Sequence, residues 1–227
     1  MGVSVGSSIY NAPSIYESGS GGGGGGGEGL PVGEIVDFPA GFTPLEKIEF
    51  TGKFEERIII PLTGYRQNNN TTENTLEFTG KITNTSKISH LCRYLPPSPL
   101  DGIYYNAYGY CIMYSNGGFS NCFTNYDESL YKEKFSLKYK YNKVSLNNHV
   151  ENKTQFTTIN TKTDVYIGAY QTSGLSGANY FELYSYKIYD PNENMIFFGV
   201  PAFDEANEVD GLLDLITNEF FKHEWTT

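Results

Sequence analysis

With 26 acidic residues against 16 basic ones, carboxylates are the first place to look for chemistry in this 227-residue chain. A retaining glycosidase needs two carboxyl groups about 5–5.5 Å apart, and on one strand face residues two apart satisfy that. No E-x-D-x-E string occurs. The densest acidic run, Asp204, Glu205, Glu208 and Asp210, reads as a loop ahead of a terminal hairpin, in the wrong order for such a pair and without a neighbouring Trp. These side chains are expected to be solvated loop acids. The alternative is a weak Ca²⁺ site on Asp204, Glu208 and Asp210, which would need about six oxygen ligands. His90, His149 and His223 lack H-x-x-x-H spacing, so Zn²⁺ has no ligand set. A triad assembled in space with Ser or Cys leaves no local signature. Cys92, Cys111 and Cys122 are an odd set without C-x-x-C spacing, expected as free thiols, with a Cys111–Cys122 bridge as the alternative if two strands place them suitably. The oligoglycine run at 21–27 has no preceding strand, no closing Lys-Ser/Thr and no following helix, so it is a tether and no phosphate loop. The expectation is a chain with no catalytic residues, no enzymatic activity and no cofactor.

Binding chemistry is better represented. The chain has 19 Tyr and 15 Phe but one Trp. Tyr105, Tyr108 and Trp225 are candidate contacts to a glycan or partner if they stand at loop tips, where aromatic faces stack on sugars or fill pockets. Strand propensity gives the competing reading, tyrosines packed on a sheet face. A net charge of −10 argues against nucleic acid, whose affinity is built from Lys and Arg displacing counterions. No stretch approaches the ~18 apolar residues of a membrane span, so no membrane insertion is expected.

The elements that must carry these side chains are strands. Residues 165–168, 180–189 and 195–200 are short, β-rich and separated by turn residues, with Pro and Asn at 190–194. In the second, both alternating faces are apolar or aromatic, which places it in the middle of the structure. Earlier strands are expected at 47–50, 57–60, 75–78, 81–82 (after a break at Gly80) and 91–95. The prolines at 96, 97 and 99 then form a loop or edge. Residues 109–115 and 119–124 form a hairpin about Asn116-Gly117. Further strands follow at 135–140, 143–148 and 156–159. Fold class is therefore all-β.

Ahead of them, residues 1–18 cannot make a core; they read either as a loose terminus or as an anchor peptide presenting Val3, Val5, Ile9, Tyr10, Ile15 and Tyr16 to another subunit. Residues 19–29 are the glycine-rich tether, 30–41 a linker or accessory strand, and 42–227 the main domain. The start of the chain lacks a basic stretch and an apolar h-region, so no secretory leader is expected.

Three motifs carry a family resemblance. Residues 165–168 (VYIG), 183–190 (LYSYKIYD) and the D-G-x-x-D-x-x-x-x-x-F of Asp210, Gly211, Asp214 and Phe220, with LEKIEFTG at 45–52, resemble the laminin-G-like, concanavalin A-like jelly rolls of phage and gut-bacterial surface proteins. Residues 31–38 (PVGEIVDF) are similar to the opening strand of phage tail-collar and fibre domains. The resemblance implies a sandwich of two antiparallel sheets with an extended N-terminal arm. It also implies an accessory virion protein, a head or tail fibre or decoration subunit, made in the host cytoplasm and attached through its arm to other virion proteins as a dimer or trimer. A carbohydrate-binding adhesion module for host glycans is the alternative. A glucanase, whose laminarinase-type members carry E-x-D-x-E, is a further one that lacks its motif here.

Overall fold

The structure, a computed structural model, describes residues 38–61, 75–94, 102–105, 111–115, 118–121, 129–140, 143–147, 149–152, 164–168, 179–190 and 192–225. Their strands are β1 (Phe42–Pro44), β2 (Ile48–Thr51), β3 (Arg57–Ile60), β4 (Thr75–Ile82), β5 (Ser89–Tyr94), β6 (Gly102–Tyr105), β7 (Cys111–Ser115) and β8 (Gly118–Asn121). After the one-turn helix α1 (Ser129–Lys132) come β9 (Phe135–Lys140), β10 (Lys143–Leu146), β11 (His149–Asn152) and β12 (Val165–Gly168). The chain then meanders through β13 (Tyr180–Tyr189), β14 (Met195–Asp204), β15 (Val209–Asp214) and β16 (Phe220–Glu224). The protein is all-β. Every pairing is antiparallel, along the path β11-β10-β9-β4-β13-β14-β15-β16-β3-β12-β5-β6-β7-β8, with β1 on β14 and β2 on β13 beside it.

Strand β13 has the central place its sequence demands, with β4 along one side and β14 and β2 along the other. Strand β4 runs through Gly80 without the expected break. The Phe78 ring lies where a Cβ on Gly80 would be, and the irregularity falls instead on β13, where the register shifts between Leu183 and Ser185. The meander turns share one device. Asp190 accepts the amides of Asn192 and Asn194, Asp204 those of Ala206 and Asn207, and Asp214 that of Ile216. Each turn also spends one residue at positive φ: Glu193, Glu208 and Asn218. A short carboxylate that satisfies turn amides fixes the register of the strands on either side.

Strands β13 and β14 pair from 186–189 and then part. In the fork between them, β1 ascends antiparallel to β14 (Phe42↔Asp204 to Pro44↔Ala202), and β2 descends antiparallel to β13 (Ile48↔Leu183 to Thr51↔Tyr180). The segment is a wedge. At the far side, β16 pairs with β15 through Phe220–Lys222 and then with β3 through His223 and Glu224, which joins the two runs of strands.

One apolar cluster draws on both runs: Ile58, Ile60, Leu91, Val165 and Ile167 meet Phe50, Phe78, Phe181, Tyr186, Phe197 and Leu212. Burying a side chain of this size is worth about 1.5–3 kcal/mol. The alternate positions of β14 and β15, Phe198, Val200, Ala202 and Leu213, form a second cluster covered in part by Phe38, Phe42 and Phe220. The expected strand at 156–159 and the turn at Asn116-Gly117 lie outside the described residues.

Candidate functional site

The fold brings together four segments at the point where β16 changes partners. The loop from β2 to β3 turns at Gly52 (φ 85°) and Glu55 (φ 53°) and closes around the side chain of Glu56, which is fully buried. Glu56 Oε2 accepts the amides of Thr51, Gly52 and Lys53 at 2.8, 2.9 and 3.2 Å. A carboxylate with three amide donors is well solvated by the backbone even without water. Asn179, also buried, anchors the loop from below: its amide group donates to the Glu56 carbonyl (3.3 Å) while its side-chain oxygen accepts the His90 amide (2.8 Å). Gly168 (φ 95°) lets β12 pass against the loop, since a Cβ there would strike the Glu56 carbonyl oxygen and the Phe50 ring.

His223 arrives from β16 with its side chain 2% exposed. Its Nδ1 lies 3.0 Å from Asp210 Oδ2, and its Nε2 makes a looser charge contact, 3.3 Å from Glu56 Oε1. Burial alone would push the imidazole down; the bonds to Asp210 and then Glu56 outweigh it and hold the pKa above 6.5. Asp210 shows the mirror case: burial would raise its carboxyl, but His223 holds it below the usual aspartate range. The ring is packed by Phe50 (4.6 Å between centroids) and by Trp225, edge-on at 5.4 Å. Above it, Lys53 Nζ lies 3.3 Å from the centroid of the Trp225 ring, a cation–π contact. Arg57 closes the side through Glu224 (3.0 Å) and Glu55 (3.7 Å).

The result is a half-exposed aromatic plate on a buried ionic frame. Trp225 is 39% exposed, whereas His223, against which it packs, and Glu56 are buried. His223 holds its neighbours in place and does not itself reach solvent.

Of the residues singled out by sequence, Trp225 and Asp210 come together here. Asp210 is no loop acid: it lies in β15, on the same side of the strand as Leu212 and Asp214, and so points inward. Asp204 is turned into its own turn, where Asn207 also donates to it (2.7 Å), and Glu208 supplies a positive φ. These acids do not converge, and among the described residues no group of three or more His, Cys, Asp or Glu is arranged to hold a metal ion. Tyr105 is not at a loop tip. It is in β6, 0% exposed, edge-on to Tyr131 at 5.3 Å, and strand alternation with buried Ile103 explains why. Tyr108, Cys122 and the anchor residues Val3, Val5, Ile9, Tyr10, Ile15 and Tyr16 lie outside the described residues.

No family model and no curated protein sequence matches the chain. Among solved structures it is similar to Trypanosoma rangeli sialidase in complex with sialic acid, with 15% identity over 68% of this chain and 28% of that one and a TM-score of 0.49. The same sialidase as a covalent intermediate with 2,3-difluorosialic acid gives 15% identity, 65% and 27% coverage and a TM-score of 0.44. A mutant displaying trans-sialidase activity gives 13%, 67% and 28%, and 0.41. The chain thus spans little more than a quarter of the sialidase. The expectation that the chain is no enzyme is corrected here: with sialidases as its structural neighbours, that exclusion has no footing. A likeness of this size assigns no activity in its place.

Proposed function

We propose that the chain is a surface-displayed binding subunit of a phage particle, an accessory head or tail fibre or decoration protein. Its main domain would fold as a concanavalin A-like jelly roll and present Trp225 to host-surface glycans. The observation that carries this reading is the plate itself: the chain's single tryptophan is left 39% exposed while its edge is fixed on His223. Stacking on a rigid aromatic face gives affinity at little entropic cost. The layered core supports the sandwich form, since residues of both strand runs meet in one cluster. The display role draws on sequence: an apolar-spiked peptide and an oligoglycine tether precede the domain, the arrangement expected of an arm that docks on other virion proteins in an oligomer, dimer or trimer.

The test is a glycan array probed with the full chain and with Trp225→Ala. Signal on one glycan class that falls at least about tenfold in the variant, as loss of a central aromatic contact predicts, supports the reading. Equal signals for the two proteins, or none from the wild type, would end it.

A further inference from the structure

The frame under Trp225 contains a histidine facing two carboxylates, and that geometry has two forms. An imidazolium has a proton for each neighbour, Nδ1–H to Asp210 and Nε2–H toward Glu56. A neutral imidazole has one. The 3.0 Å bond to Asp210 is the better formed and keeps it. The Nε2 lone pair is then left 3.3 Å from a carboxylate oxygen, a repulsive contact between two buried groups. Glu56 belongs to the β2–β3 loop and Asp210 to β15. The proton on Nε2 therefore adds a bond between the loop and β16, beyond the Glu224↔Arg57 pairing at the loop's end.

We propose that His223 is a proton-operated latch on the Trp225 face: protonated, it draws the β2–β3 loop inward and seats Lys53 over the indole, and on deprotonation the loop relaxes and uncovers that face. The latch takes Trp225 as the glycan-stacking surface of the proposed function, and it makes that surface more open as pH rises.

The surrounding charges leave His223 as the moving part. From the loop, Glu56 faces the ring directly and Lys53 reaches it only through the indole. From β15, Asp210 faces the other nitrogen. Phe50 of β2 and Trp225 pack its faces without charge. On β3 and β16, Arg57, Glu224 and Lys222 are paired with one another, and Glu55 faces Arg57. Glu56 keeps its three amide donors in both forms and Arg57 its pairing with Glu224, so the loop's turn and base survive while the Glu56–His223 bond that draws in its tip is released.

The chain's only tryptophan reports on this directly. Acrylamide quenching of the full-length protein between roughly pH 5 and roughly pH 10, spanning histidine's range, should give a quenching slope that rises with a midpoint above 6.5, on the side to which the two carboxylates move His223. In Lys53→Ala the slope should already be high at low pH and stay flat, because the cover is gone. In His223→Gln the pH dependence should vanish. A flat slope in the wild type, or a Lys53→Ala protein that titrates as the wild type does, overturns the latch; the exposed position of Lys53 keeps that variant folded if His223→Gln is not. The titration needs no saccharide. A silent glycan array would leave the latch standing, and a flat titration would leave glycan binding standing.

Discussion

Replacing Glu56 by alanine tests the ionic frame most directly. The side chain is fully buried; it accepts the three loop amides and the Thr51 hydroxyl and faces His223 Nε2 at 3.3 Å. Removing one partner of a buried ion pair costs up to about 3–5 kcal/mol when the other charge is left without compensation, and His223 here keeps Asp210 at 3.0 Å. The loop amides add to this where they cannot reach water, each buried orphan costing about 1–3 kcal/mol; the turn lies near the surface, so most of them will. Glu56→Ala is thus expected to lose between about 1 and 5 kcal/mol of unfolding free energy by urea titration with an unchanged m-value. Glu56→Gln, which keeps an acceptor oxygen for the amides and gives up the charge, should fall between it and the wild type. A double-mutant cycle with His223→Gln should show a coupling of about 0.5–3 kcal/mol near pH 6 that shrinks once His223 loses its proton. A loss below about 1 kcal/mol for Glu56→Ala, or a cycle with no coupling at either pH, would refute the view that Glu56 and His223 act together.

Other perturbations probe the remaining parts. Asp214 is fully buried and accepts the Phe198 amide, the Ile216 amide and the Thr217 hydroxyl; Asp214→Ala should cost about 2–3 kcal/mol in the same titration, and a neutral result would mean that the turn device is dispensable. Gly168→Ala should be more costly than Gly41→Ala: both glycines have positive φ, but a Cβ on Gly168 meets Glu56 and Phe50 whereas one on Gly41 meets nothing, so the strain of about 1–3 kcal/mol is joined by a clash only at 168. Equal melting temperatures for the two variants would contradict the packing described. Stability against pH should decline on both sides. The contribution of His223, whose pKa is raised, is complete below 6.5 and fades as pH climbs through its folded value, while that of Asp210, whose pKa is lowered, is complete above 3.8 and fades as pH drops through its folded value. Thermal melts across that range should show the alkaline decline vanish in His223→Gln.

Strand grammar was plain in the sequence where its causes are local. Alternation within 180–189 placed β13 in the centre, and the acidic turns at 190–194 and 204–208 carry their own capping Asp and positive-φ residue. Asn147 adopts φ 51°, a left-handed position that Asn tolerates better than most residues. Local spacing failed wherever partners are remote. His223 reads as isolated because its neighbours Glu56 and Asp210 come from the opposite end of the chain and from across a hairpin, and no i, i+4 pattern can announce them. Asp210 needs one further step: counting by two from Leu212 puts it on the inward face of β15. The same count from Ile103 buries Tyr105. A signal for Glu56 did exist, in that it follows a Gly-containing turn and directly precedes the apolar run of β3, where a lone carboxylate has few ways to remain solvated.

The wedge of β1 and β2 sets an order of events for a chain emerging from the ribosome. Thr43 binds Glu205, 162 positions further on, and Arg57 binds Glu224, 167 positions further on. Strands β1 and β2 must wait, unpaired, until β14 and β13 exist to receive them. The meander from β13 to β16 can form from neighbours in sequence, whereas insertion into its fork joins positions as far as 162 residues apart, the slow and non-local kind of contact. Until that moment the waiting strands are open to wrong partners, including those of an adjacent copy.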